Sequence, residues 1–275
     1  MNCAWKELLA ILPVWMRKDV DMLGKERLTE LRLRLDAQPE LNIAGECIWL
    51  CRIVTADDLS FCINAASQYS PWAAETEAEG YITAPGGHRI GICGETVING
   101  GRLTGYKKIS SLCIRVARDF SGIWTDTNVP LGSFLLLGAP GWGKTTLLRD
   151  CIRILSQDCS ICVIDERGEL FPTGFQKGKR MDVMTGCPKS IGIGIVLRTM
   201  CPSYIAVDEI TAQADSAALI RAVGCGVQLA ATAHASSFED FCRRPVYQPL
   251  LRYRLFDTIV QLHQDRTYTI ERITL

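Results

Sequence analysis

The sequence has no surplus of charge of either sign: Lys+Arg and Asp+Glu stand at 30 each over 275 residues. The balance is also local, since residues 1–120 hold 14 basic and 15 acidic side chains. A polyanion-binding surface ordinarily shows as a basic excess on at least one domain, so the charge argues against a nucleic-acid partner. No uninterrupted apolar stretch approaches the ~18–20 residues of a membrane-crossing helix, so direct membrane insertion is not expected. The start, MNCAWKELLAILPVWMRKD, has no basic region ahead of its short apolar run and no small-residue cleavage site, and is a poor signal peptide. Histidine is scarce, with only His88, His234 and His263. The 13 cysteines include a C-x-x-C at Cys159 and Cys162 and a C-x-x-x-C at Cys47 and Cys51. Neither pair has a second pair or a histidine at zinc-site spacing, so buried thiols in a reducing cytoplasm are expected. Internal repeats and low-complexity tracts are absent too.

What is present is an ordinary globular composition, 48% hydrophobic and 22% charged. Residues 1–20 read as an amphipathic helix broken at Pro13. Residues 27–43 alternate Leu with charged residues and predict a half-buried strand. Residues 55–67 predict a helix capped by Thr55. From Gly80 to Ala117, several short strands are expected between Gly-Gly and Pro-Gly turns. This front portion, 1–120, is expected to be a smaller α+β domain, with 121–132 as a linker. From 133 to 275 the pattern becomes buried strand, then helix, in alternation, with a closing hairpin from Phe256. That alternation predicts an α/β domain with a mainly parallel sheet covered on both faces.

One stretch carries chemistry at every position. Gly138-Ala139-Pro140-Gly141-Trp142-Gly143-Lys144-Thr145 fits G-x-x-x-x-G-K-[ST], between a buried strand and a helix that continues with Thr146. Backbone N–H groups of such a loop converge on phosphates, Lys144 reaches the β- and γ-phosphates of ATP, and the Thr145 hydroxyl meets Mg²⁺. Trp142 is unusually bulky for this loop; packing on the adenine side and packing on a neighbouring subunit are both open.

Two strands then end in Asp-Glu: ICVIDE, with Asp165 and Glu166, and YIAVDE, with Asp208 and Glu209. In the P-loop class with an inserted strand, the third motif strand carries the metal-linked Asp, and the Glu after it polarises the attacking water. That order assigns Asp208 to Mg²⁺ through water and Glu209 to the general base. Asp165 and Glu166 then form an additional acidic box. The fourth strand ends in ATAHAS, where Thr232 or His234 is positioned to sense the γ-phosphate.

The P-loop, the acidic box VIDERGE, the Walker B segment AVDEI and TAHAS together resemble the secretion-ATPase superfamily of type II, type IV and pilus motors. TELRLRL, GYITAPGGHRIGICGETV, KISSLCIRVAR and GKTTLLRD narrow the resemblance to its stage III sporulation AA branch. The resemblance implies a RecA-like core and ATP hydrolysis. It also implies a homo-oligomer, a hexamer by analogy, with sites completed by a neighbour's arginine. Arg115 and Arg118 are the candidates for that arginine, with Arg198 as an alternative. By position, Glu166 belongs to the Asp box, Glu209 to Walker B and His234 to the His box. The implied setting is the mother-cell cytoplasm, beside membrane proteins of a sporulation channel leading to the forespore. Two other functions stay open: a nucleotide-gated assembly factor and a P-loop ATPase acting on nucleic acid.

Overall fold

The computed structural model describes residues 3–43, 45–67, 80–126 and 129–273. Residues 127 and 128 of the expected linker, and the ends of the chain, lie outside them. The chain divides into two compact units: Met1–Asp119 with Pro172–Phe175, and Phe120–Phe171 with Gln176–Leu275.

The first unit begins with the expected helical segment, broken at Pro13 into α1 (Trp5–Ile11) and α2 (Val14–Leu23). Pro13 is the N-cap of α2, a position where its missing N–H is no loss. The alternation over 27–43 resolves into two strands instead of one, β1 (Leu28–Arg34) and β2 (Glu40–Ile43), paired antiparallel. Asp36 takes the left-handed φ of +60° between them, and a continuous strand cannot contain that angle. Strand β3 (Glu46–Trp49) follows, then α3 (Ala56–Ser67). Thr55 caps α3 reciprocally, its N–H on Asp58 Oδ2 at 2.9 Å and its hydroxyl accepting the Asp58 N–H.

The several short strands expected after Gly80 are one short strand, β4 (Tyr81–Thr83), and two long ones, β5 (Arg89–Asn99) and β6 (Arg102–Arg115). Bulges between Cys93 and Gly94, Glu95 and Thr96, and Val97 and Ile98 break the alternation, and so the sequence signal. The six strands lie in the order β3-β2-β1-β6-β5-β4, every pair antiparallel. Leu8, Met16 and Leu59 from the helices pack with Leu31, Ile90 and Ile114 of the sheet in one core.

The second unit opens with the segment expected as a linker, and that segment is anchored. The N–H groups of Gly122, Ile123 and Trp124 all donate to the buried Asp150 carboxylate, at 3.1, 2.7 and 2.9 Å. Strand β7 (Phe134–Gly138) leads into α4 (Lys144–Leu155), on which Asp150 lies. Next come β8 (Ile161–Asp165), β9 (Met181–Thr185) and α5 (Lys189–Thr199). The pair β9 and α5 was not foreseen: β9 is a half-exposed edge strand, and α5 is rich in glycine and β-branched residues. After them come β10 (Tyr204–Val207), α6 (Gln213–Gly224), β11 (Gln228–His234), the short α7 (Phe238–Arg243) and α8 (Gln248–Arg252), and the closing hairpin β12 (Thr258–Leu262) and β13 (Tyr268–Arg272).

The seven strands lie in the order β13-β12-β7-β11-β10-β8-β9, and all adjacent pairs are parallel except the hairpin. Their continuous apolar runs have a plain cause. Leu135 and Leu137 of β7 enter one core, and Phe134 and Leu136 enter another on the opposite face. One strand, β11, separates the P-loop strand β7 from β10, which is the RecA-like arrangement.

The expectation for cysteine holds in part. Cys62, Cys151 and Cys162 are buried, but Cys47, Cys51, Cys93, Cys201 and Cys225 are exposed. Among the described residues no helix is long and apolar enough to cross a membrane.

Candidate functional site

Parallel pairing in register brings the carboxyl ends of four strands to one edge of the second sheet. His234 pairs with Gly138, and Val207 lies between Ala231 and Ile164. The residues that follow these strand ends therefore meet, at the place where open α/β sheets bind ligands. Gly143, the N-cap of α4, sits at φ +99°, a left-handed angle that lets the loop turn directly into the helix.

Lys144 Nζ donates to the Ala139 carbonyl at 3.0 Å and bonds His234 Nδ1 at 2.9 Å. An ammonium only donates, so Nδ1 accepts and the imidazole proton lies on Nε2. Burial pushes the Lys144 amine down from the usual lysine range, while Asp208 and Glu209 oppose the shift. His234 Nε2 then donates to Glu209 Oε1 at 2.5 Å.

The Thr145 hydroxyl donates to Asp208 Oδ2 at 2.7 Å, and the fully buried Thr232 hydroxyl donates to Oδ1. Thr232 Oγ1 in turn accepts the Glu209 N–H at 2.8 Å. Thr232, named as an alternative to His234 for sensing phosphate, thus ties together the two acids after β10. Glu209 itself takes φ +50°, a conformation that costs a non-glycine residue ~1–3 kcal/mol and is held here by these bonds.

The second acidic pair divides. Asp165 is 2% exposed and caps the turn after β8, with Oδ1 accepting the Glu169 N–H at 2.9 Å and Oδ2 the Phe171 N–H at 2.8 Å. Burial pushes its carboxyl up, while the Phe171, Leu170 and Glu169 backbone donors pull it down. Glu166 is more open and pairs with Lys189 at the start of α5. Both still line one cleft with Asp208 and Glu209, so the two acidic pairs meet.

Sequence reasoning missed the two cations of this cleft. Arg167 Nη1 lies 3.3 Å from Glu209 Oε2, and Lys189 neutralises Glu166. Arg167 directly follows the Asp165-Glu166 pair, which is the one signal available for it. Nothing in the sequence joins Lys189 to an acid 23 residues earlier.

Among the other expected residues, Trp142 packs half-buried on the core cluster of Phe134, Leu136 and Leu262 in its own chain. Arg118 is committed within the first unit, with Nη2 donating to the carbonyls of Lys25, Glu26 and Leu28. Arg115 is 69% exposed and lies 3.7 Å from Glu30. Arg198 is exposed near the end of α5.

No cluster of three or more His, Cys, Asp or Glu suited to a metal occurs among the described residues. The pair Thr145 and Asp208 fits Mg²⁺, which keeps most of its shell as water and phosphate oxygen and takes one or two protein oxygens.

The family model described as "Sporulation stage III, protein AA" matches residues 5–273. Stage III sporulation protein AA of Bacillus subtilis (strain 168) is 32% identical over 288 residues, covering 94% of this chain and 91% of the relative. Two solved structures share the fold across both units. The Legionella pneumophila ATPase DotB has a TM-score of 0.64 at 17% identity, covering 95% of this chain and 80% of DotB. The pilus retraction motor PilT, with bound ADP, has a TM-score of 0.62 at 15% identity, covering 92% and 79%.

Proposed function

Because this chain belongs to the stage III sporulation protein AA family, we propose that it is a Mg²⁺-dependent ATPase that drives a secretion-like channel between mother cell and forespore. The observation that carries the reading is the continuous network from Lys144 through His234 to Glu209, beside the Thr145–Asp208–Thr232 bonds. It joins a phosphate-binding loop, a metal pair and a candidate base in one place.

In this reading the loop N–H groups from Gly138 to Gly143, with Lys144, hold the phosphates, and Thr145 and Asp208 hold the metal. Mg²⁺, when bound, offsets the charge that develops on the transferred phosphoryl group. Glu209 takes the proton of the attacking water, and Thr232 keeps its backbone turned toward the site. His234 reports the state of Lys144 to Glu209. Glu166, neutralised by Lys189, sets the charge of the adjoining cleft.

The chain works as a homo-oligomer, a hexamer by analogy with the secretion motors, in the mother-cell cytoplasm. It reaches the membrane through partner proteins of the channel. Arg115, exposed and only loosely paired, is the better candidate for completing a neighbour's site, because Arg118 is committed to its own backbone. An arginine given in trans is worth 10³–10⁵ in rate, so isolated subunits are expected to be nearly inactive.

ATP turnover measured against protein concentration, with particle size followed in parallel, tests this. Specific activity is expected to rise with assembly and to vanish in Lys144→Ala. Flat activity from a monomer removes the composite site. Tight binding without turnover in any assembly favours a nucleotide-gated assembly factor instead.

A further inference from the structure

Arg167 is a cation that no motif assigns, and its place gives it a task. It closes a run of four side chains: Lys144 to His234 at 2.9 Å, His234 to Glu209 Oε1 at 2.5 Å, and Arg167 to Glu209 Oε2 at 3.3 Å. Both carboxylate oxygens of Glu209 are thereby engaged by donors, while its backbone is held at φ +50°. A general base needs a lone pair directed at the proton it removes, and donors on both oxygens fix the carboxylate's orientation and lower its basicity.

The other end of the run is restrained as well. Lys144 has three N–H donors, and two are used internally, on Ala139 O and His234 Nδ1. Bridging two phosphate groups takes two donors, so at least one internal bond must open. The His234 bond is the one whose loss is transmitted to Glu209.

We infer that Arg167 is a positioning residue that latches Glu209, through His234, to the phosphate-binding lysine, so that triphosphate binding and release of the base oppose a single internal restraint. The inference rests on the reading that Lys144 meets a triphosphate. Arg167 is the tunable joint of the latch, because its side chain is 53% exposed whereas that of Glu209 is 28% exposed. A protein whose binding-competent form is only part of the population shows a weakened apparent affinity, and removing the restraint restores it. Losing a half-exposed ion pair shifts such an equilibrium by about two- to five-fold.

The test is calorimetric titration of the full chain with Mg²⁺ and a non-hydrolysable ATP analogue, for wild type, Arg167→Ala, Arg167→Lys and Lys144→Ala. Arg167→Ala is expected to bind about two- to five-fold tighter, with Arg167→Lys between it and wild type, and basal turnover rises in the same order. A general structural lesion would move affinity the other way. Unchanged affinity in Arg167→Ala overturns the latch. Weaker affinity does so too. Wild type that binds no better than Lys144→Ala overturns both the latch and the nucleotide reading beneath it.

Discussion

His88 shows how much one side chain of the front portion decides. It is fully buried, its Nδ1 accepts the Ala117 N–H at 3.1 Å, and its Nε2 donates to Ala4 O at 2.9 Å, so both ring nitrogens are used only in the neutral form. Burial pushes its pKa below the usual 6.5, against the pull of the Ala4 carbonyl and Glu7. The unfolded chain therefore takes up a proton below pH ~6.5 that the folded chain refuses. Stability of the first unit is expected to be full above that pH and to fall below it, by at most about 1.4 kcal/mol per pH unit. Urea unfolding followed by tryptophan fluorescence from pH 8 to 5 measures the slope, and His88→Gln should flatten it. A midpoint independent of pH across that window would mean that His88 is not held neutral. The same scale shows which residues are legible in a sequence. Lys144 and Thr145 are legible from their fixed offset in a strand–loop–helix pattern, and Asp208, Glu209 and His234 from their place at the ends of apolar strands. Arg167 and Lys189 are not, because they meet Glu209 and Glu166 across long stretches of chain, and no spacing records that.

Elements divide along the same line. Strands β7, β8, β10 and β11 announce themselves as unbroken apolar runs, because both faces of each are covered by a core. The arm formed by β5 and β6 does not, because its bulges scramble the period. Beyond Gly94 and Ile109 it pairs with no other strand among the described residues. Gly94 is the joint of that arm: a Cβ there would lie 2.1 Å from the Lys108 carbonyl, a backbone atom that cannot step aside. Gly94→Ala is expected to force the two strands apart, raising amide exchange over residues 95–108 and destabilising the unit by about 1–3 kcal/mol. Exchange at the wild-type rate would show that the strands tolerate the wider spacing. The segment 121–126 shows the converse. Its composition reads as a linker, yet Asp150, a helix residue some 26 to 28 positions later, fixes three of its N–H groups. Anchoring by a distant carboxylate leaves no local trace.

For the whole molecule, the order of motifs along the chain was enough to place the RecA-like core. The strand order then follows from parallel pairing with one strand between β7 and β10. Assembly is the scale at which the sites are proposed to be complete, and mixing tests it. Lys144→Ala chains keep Arg115 but not the P-loop lysine, and Arg115→Ala chains keep the lysine but not the arginine. Each alone is expected to be nearly inactive, while an equal mixture assembled together should regain activity at about a quarter of its interfaces. A mixture as inactive as its parents would place the completing group elsewhere. The division of the chain itself has one more consequence. Pro172–Phe175 belongs with the first unit although it is encoded inside the second, directly after the turn that Asp165 caps. A recombination event that exchanged only the front of the gene would import residues 1–119 without the four that complete them. A chimaera that exchanges the front half is therefore expected to need that tetrapeptide carried across with residues 1–119.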